Sequence, residues 1–445
     1  MGARRNLIIV LAHGLRADVA GDGPDWPYVA PNIEKLALRG QRMIATAACV
    51  ADPGGMVSLL TGLHARQHGH VHPMRGPVAC AGWAAGLREQ GYHLAGVGCV
   101  TAIERWLNEA VLVDDVDHTD SVRCAYLSSM AAKGYKEAIN LQRRQRQRYG
   151  PFEPDRLLLE PDDDIDGYIA AQALATLQRM PDDRRWALVV AFNGPGNDLP
   201  APIMYDQLAD EITLDMGFTL PDFRTLDDLA ELDYPRTMLQ RMEPHRLAQI
   251  RADYLGRVSL IDHGLGRIVD ALEQRSDRSR TWTVLASDRG YLLGEHGLVG
   301  HRSFLAGAVE APAIITPPTP ARRAEHDGLL STVDIAATIG ALGGCDLSPA
   351  VTGRSLLPLL AGEPIAHPSS AMLCEFGHRL MLETERYKVI FDTKTRDAIG
   401  LYDLLNDPRE LENLIHGMTG RNIIDALRWR LGDALMGLRA EPCAL

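Results

Sequence analysis

The stretch CVADPGGMVSLLTG, Cys49 to Gly62, puts a thiol and a carboxylate at what reads as a helix entrance. Asp52 could serve there as a carboxylate nucleophile or a metal ligand. Its plainer role is an N-cap, with Pro53 at the first helical position and the helix beginning near Gly54 or Met56. Such a cap is worth about 1 kcal/mol. His13 and Asp288 are the other candidate ligands. Together with Asp52 they form a His-plus-two-carboxylate set that would suit zinc, manganese or iron. Calcium, which takes roughly six to eight hard oxygens, is not expected. Arg289 works against any cation, because its guanidinium can pair with Asp288 or Asp52 and fill the cation's role. Cys99 is a second candidate nucleophile, activated by a cation such as Arg289, or else an inert core thiol. Cys49 reads as a buried small hydrophobe.

These residues can meet only where the fold gathers them. NLIIVLA (Asn6 to Ala12), HLAGVG (His93 to Gly98), WALVVAF (Trp186 to Phe192) and WTVLAS (Trp282 to Ser287) are nearly continuous apolar runs. Runs of that kind suit the buried strands of a largely parallel sheet. Amphipathic stretches lie between them, including Asn32 to Gly40 and Tyr254 to Gln274, the latter with Leu255, Val258, Ile261, Leu265, Ile268 and Leu272 at helical spacing. The pattern predicts an α/β sandwich with helices on both faces. Ligands in open α/β sheets sit beyond the carboxyl ends of the strands. That rule selects His13-Gly14, Cys99 to Thr101, Asn193 to Asn197 and Asp288-Arg289, with the helix entrance at Asp52 joining them.

The tail differs. Strand-forming stretches from Arg379 to Asp392 and a final helix from about Thr419 to Leu438 predict a small C-terminal α+β domain over 366–445, after a larger α/β unit of 1–365. The linker candidate is LAGEPIAHPSS, Leu360 to Ser370. With 445 residues, 46% hydrophobic and 23% charged, the composition is that of a soluble globular protein. The net charge of −12 disfavours nucleic acid. The basic run Arg143 to Arg148 precedes the acidic run Glu160 to Asp166, which predicts a solvated, ion-paired surface. Seven scattered cysteines form no framework and suit a cytoplasmic protein. No segment is long and apolar enough for a membrane span.

At the selected positions the sequence resembles the sulfatase and phosphonate monoester hydrolase branch of the alkaline phosphatase superfamily. NLIIVLAHGLRAD, APNIEKLALRG, SLLTGLHARQHGH, AFNGPGNDLPAP, SDRGYLLGEHGLVGH, TVDIAATIGALGG, GRSLLPLLAGE, RYKVIFD and LYDLLNDPRELENL follow in family order across almost the whole chain. The resemblance implies an alkaline-phosphatase-like fold with a mostly parallel sheet. It also implies a divalent cation held by an Asp-Asp pair and an Asp-His or Asp-Asn pair, and a nucleophile from a Cys-x-Pro-x-Arg motif, or a Ser or Thr. Here the Asp-Asp pair is His13-Gly14, and Asp52 and Met56 hold the places of the nucleophile and the motif's Arg. Cys99 and Thr101 hold those of a Lys and a His, and Gly196 that of another His. Asp288 remains, its partner is Arg289, and a downstream Lys is His301.

Nearly every group with a chemical role has changed while the motifs between them persist. The expectation is therefore a sulfatase-like protein with a degenerate active site, a pseudoenzyme or scaffolding subunit without a cofactor, whose partner is an unknown small molecule, another protein or a second copy of itself. The first alternative is a metal-dependent hydrolase or lyase rebuilt on His13, Asp52 and Asp288, with His296 or His301 near enough to add a ligand. The second is a conventional sulfate, phosphate or phosphonate ester hydrolase. Insertions at Cys124 to Asp166 and Met204 to Tyr234 are expected to shape the cover of the pocket.

Overall fold

The computed structural model describes residues 5–20, 30–71, 82–113, 124–152, 157–206, 236–239, 242–319, 328–346, 350–365 and 369–437. Its centre is β1 (Asn6–His13), flanked in parallel by β5 (Trp186–Pro195) and β6 (Thr281–Ser287). With β2 (Gln41–Thr46), β3 (His93–Gly98), β4 (Glu109–Leu112) and β9 (Glu310–Thr316) they form a seven-stranded sheet in the order β2-β9-β6-β1-β5-β3-β4. Only β9 runs against its neighbours. A two-residue hairpin, β7 (Leu292–Leu293) with β8 (Val299–Gly300), follows β6.

The apolar runs become strands because both faces of the sheet are covered. Ile8, Val10 and Ala12 point into one core layer, with Ile33 and Leu36 of α1 (Pro31–Arg39), Ile169 of α3 (Ile165–Gln178) and Val258 and Ile261 of α4 (Pro244–Glu273). Leu7, Ile9 and Leu11 point into the other, with Leu59 and Leu60 of α2 (Gly54–Thr61) and Ile335 and Ile339 of α5 (Thr332–Gly343). Helix α4 begins ten residues before the expected Tyr254, because Leu247, Ile250 and Arg251 continue its buried stripe.

The tail forms a second, four-stranded antiparallel sheet: β10 (Met372–Phe376), β11 (Arg379–Glu383), β12 (Tyr387–Asp392) and β13 (Ala398–Asp403). Ile424 and Leu427 of α6 (Met418–Gly437) cover one face. The other face packs Cys374, Phe376, Met381 and Ile390 on Ala47, Cys49, Val50 and Ala51, the segment leading into α2. The Glu375 N–H donates to the Ala48 carbonyl at 3.1 Å, and its carboxylate receives the Arg66 backbone N–H at 2.9 Å and the guanidinium at 2.5 Å. Buried Lys388 reaches Glu410 at 2.6 Å and the Phe304 carbonyl at 3.1 Å. The expected linker at Leu360 to Ser370 lies partly outside the described residues. So does nearly all of the insertion from Met204 to Tyr234. In the basic run, Arg143 is buried rather than solvated, on the helix Lys136–Tyr149. Among the described residues no helix is long and apolar enough to cross a membrane.

Candidate active site

His13 ends β1 and Asp288-Arg289 follow β6, so adjacent parallel strands deliver all three side chains to one edge. Asp288 and Arg289 are completely buried. His13 Nδ1 lies 3.0 Å from Asp288 Oδ2, and the Gly14 N–H donates to Oδ1 at 3.1 Å. Burial alone would raise the Asp288 pKa. The His13 ring, the Arg289 charge and the Gly14 N–H outweigh it and hold the carboxyl well below the usual carboxylate range.

Arg289 closes this cluster. Its Nη1 lies 3.2 Å from Asp288 Oδ2 and donates to the Ala51 carbonyl at 3.1 Å, while Nη2 lies 2.6 Å from His13 Nε2. A guanidinium only donates, so in this contact Nε2 supplies the lone pair and Nδ1 faces Asp288; burial and Arg289 lower the His13 pKa, and Asp288 and Asp52 outweigh them and raise it. Both ring nitrogens of His13 are therefore engaged.

Asp52 is brought to the same place but more loosely. Its Oδ1 is 3.9 Å from His13 Nε2 and 4.0 Å from Arg289 Nη2, and its side chain is 40% exposed. It is not an N-cap, contrary to the expectation from the sequence. The peptide to Pro53 is cis, Pro53 itself takes the cap position, and no side chain caps α2. Asp52 instead faces the cluster. The helix does begin at Gly54, and its whole length is buried. Met56, at the place of the family's Arg, belongs to the apolar core beneath the sheet.

Three backbone approaches leave the cluster little room. A Cβ on Gly55 would lie 3.2 Å from Asp288 Oδ2 and 2.7 Å from the Cys49 carbonyl. A Cβ on Gly14, whose φ is +68°, would lie 3.0 Å from the Gly196 Cα. A Cβ on Gly196 would in turn meet Gly14 Cα at 3.1 Å and the Tyr291 ring at 3.0 Å. Gly14 and Gly196 are thus backbone pressed on backbone.

His301 lies close by. Burial first, then the charges of Arg289, His13 and Arg302, hold its pKa well below the ordinary imidazole value, so it is neutral. Its ring stands 6.4 Å from that of Tyr291. His296 is turned away, with Nε2 at 3.1 Å from the Arg409 carbonyl. Cys99 is not gathered in. It follows β3, three strand spacings or about 14 Å from the end of β6. Its sulfur receives the Asn193 side-chain N–H at 3.6 Å, so Arg289 is not its activating cation. Cys49 is buried beneath the segment, and burial pushes its thiol up to about 12.

Calcium needs roughly six to eight hard oxygens, whereas Asp288 here is paired with the Arg289 guanidinium and a His13 nitrogen, so the residues present do not fit calcium. Among the described residues no three His, Cys, Asp or Glu side chains converge as metal ligands. The Gly14–Gly196 contact and the part of Tyr291 were not visible in sequence. The Gly in each strand-end segment was their only signal.

The model of the sulfatase family matches residues 5–345. The chain belongs to the sulfatase family. A second model, for the N-sulphoglucosamine sulphohydrolase C-terminal region, matches residues 294–436. The choline-sulfatase of Rhizobium meliloti is 24% identical, over 93% of this chain and 83% of its own. The multifunctional alkaline phosphatase superfamily protein PehA of Trinickia caryophylli is also 24% identical, over 99% of both chains. Among solved structures, the phosphonate monoester hydrolase of Silicibacter pomeroyi shares the fold with a TM-score of 0.80 at 20% identity, covering 99% of this chain and 96% of that one. That of Agrobacterium radiobacter gives 0.73 at 19% identity, over 98% and 95%. The sulfatase-family fold explains why the strand ends converge.

Proposed function

We propose that this sulfatase-family protein does not cleave sulfate, phosphate or phosphonate esters and works as a cytoplasmic binding or scaffolding subunit. One observation carries the reading: the Arg289 guanidinium stands 2.6 Å from His13 Nε2 and 3.2 Å from Asp288. A fixed internal cation there compensates the buried carboxylate. Asp52 stands at the mouth, where an ester's anion would first arrive. Two like charges at ~4 Å and an effective dielectric of ~20 repel by ~4 kcal/mol, about three decades in affinity. The relatives' names, a choline-sulfatase and phosphonate monoester hydrolases among them, select sulfate and phosphonate esters as the compounds to try.

The test is turnover of nitrophenyl sulfate and of a nitrophenyl phosphonate monoester by the full chain, with elemental analysis of the same sample. The expected result is no rate above buffer and no stoichiometric metal. A rate that disappears in Asp52→Ala would overturn the reading. The alternative, a metal-dependent hydrolase or lyase on His13, Asp52 and Asp288, would need a cation to displace Arg289 from His13 Nε2 and Asp288. Stoichiometric zinc, manganese or iron in the analysis would select it.

A further inference from the structure

Lys388 of β12 carries the charge on which the tail is fastened to the body. It is buried, with Nζ 2.6 Å from Glu410 Oε1 and 3.5 Å from Glu383 Oε2, and it donates to the Phe304 carbonyl at 3.1 Å. Glu410 reaches across with its other oxygen, Oε2, which accepts the Ala306 N–H at 2.6 Å. The neighbouring Arg409 carbonyl lies 3.1 Å from His296 Nε2. Glu410 has a φ of +58° and His296 a φ of +51°, left-handed backbone that is disfavoured for any residue with a Cβ. Such residues persist only where their surroundings hold them, and what holds Glu410 is this ion cluster.

The cluster holds more acid than base. Glu310 opens β9 just after the turn Ala306–Val309, and its carboxylate joins those of Glu383 and Glu410 around Lys388. Asp18 faces Glu310 as well, already paired with Arg16 at 2.6 Å. One ammonium cannot neutralise so many carboxylates, so the one it serves least is the first to take a proton as pH falls. Lys388 reaches Glu410 and Glu383 directly, whereas Glu310 is in no direct ion pair among the described residues. Glu310 touches solvent, which lets the proton in and out, yet it stands in crowded protein. Burial first, then Glu383, Glu410 and Asp18, push its carboxyl up to about 7 against the pull of Lys388.

We propose that Glu310, set beside the Lys388–Glu410 pair, is a proton-operated catch on body residues 303–306, closed when its carboxyl is neutral and released when it is ionised. With Glu310 neutral, Lys388 answers to Glu410 and Glu383 alone, and Glu410 keeps the Ala306 N–H. With Glu310 ionised, a like charge pushes on Glu410, whose left-handed backbone relaxes as it lets the amide go. The grip is full below about 4.3, the ordinary Glu value, and is lost as pH rises from there through about 7. The released residues begin just after His301, whose ring stands 6.4 Å from that of Tyr291 and feels the charge of Arg289. The tail thereby acts on a wall of the buried cluster, whether or not that cluster cleaves esters.

The measurement is amide hydrogen exchange of the full chain, read by mass spectrometry at pH 6 and pH 8, with each rate divided by its intrinsic value. Protection of the peptide that holds Ala306 should fall at least about fivefold at pH 8, because each pH unit inside the window changes the opening equilibrium by up to about tenfold. Protection of β1 should not follow it. Glu310→Gln, neutral at every pH, should keep at pH 8 the protection seen at pH 6, and Glu310→Ala serves the same end if the amide disturbs the fold. Equal protection of the Ala306 peptide at both pH values in the wild type would overturn the catch. So would a fall that persists in both variants. Turnover and elemental analysis read the non-hydrolytic proposal separately, so either can fail without the other.

Discussion

Gly14 and Gly196 meet across the ends of β1 and β5, with the Gly196 N–H donating to the His13 carbonyl at 2.9 Å and a Cβ on either lying 3.0–3.1 Å from the other's Cα. The cluster is thereby closed from the backbone outward, and repair by side chain alone is not open to it. Gly14→Asp should destabilise the protein by about 2–4 kcal/mol, combining left-handed strain with overpacking. Urea denaturation measures that cost. Titration with calcium or manganese should show no gained affinity in Gly14→Asp, and a tight site would contradict the closure.

Arg289 is the cation of the site. Removing it leaves buried Asp288 with only the His13 ring and the Gly14 N–H for partners, so Arg289→Gln should cost about 3–5 kcal/mol. Arg289→Lys should recover only part of this, since a lysine cannot hold Asp288, His13 and the Ala51 carbonyl at once. Equal stability of Arg289→Gln and wild type in denaturant titration would rule out the ionic role.

For Asp52 the expectation is tolerance. It caps no helix, is 40% exposed, and sits 3.9–4.0 Å from its charged neighbours. Asp52→Asn should change stability by no more than about 0.5 kcal/mol, whereas loss of a true cap costs about 1. Thermal and urea unfolding distinguish the two.

The histidines after α2 give the protein an acid limit. Burial, with Arg66, pushes His64 down to about 4; burial, with His70 and His64, pushes His68 down to about 3. Both are neutral when folded and take up a proton near pH 6.5 when unfolded. Stability is therefore full above pH 6.5 and falls as pH drops through the window from 6.5 toward 4, by up to about 1.4 kcal/mol per pH unit for each. His68 also shares a 2.9 Å hydrogen bond with Ser58. Unfolding free energies at pH 7.5, 6 and 5 should show a shallower slope in His68→Gln than in wild type; parallel slopes would remove His68 from the account.

Much of the fold was legible because its signals are local. Unbroken apolar runs such as Trp186 to Phe192 mark strands covered on both faces, and the 3.6-residue spacing after Tyr254 marks α4. The meeting of His13, Asp52, Asp288 and Arg289 followed from one rule about strand ends. What escaped the sequence depends on distance between segments. Nothing in Ala-Asp-Pro says that Pro53 takes the cap and Asp52 turns to the cluster. Neither glycine at 14 or 196 reveals that it touches the other. Cys99 was placed on the catalytic rim because strand order cannot be read along the chain. The strands β10 and β13 went unread because their burial is supplied by α6 and by residues 47–51, far away in sequence.

Glu375 joins the tail sheet to the loop before α2 by its N–H, and to Arg66 just after that helix by both carboxylate oxygens. The tail is thus a splint set against that loop, not an appendage. A chain cut ahead of Met372 would strip the cover from Cys49, Val50 and Ala51 and leave the Ala48 carbonyl and the Arg66 amide without these partners. Asp52 hangs from that same strip of backbone, so whatever the pocket does is governed from the far end of the polypeptide.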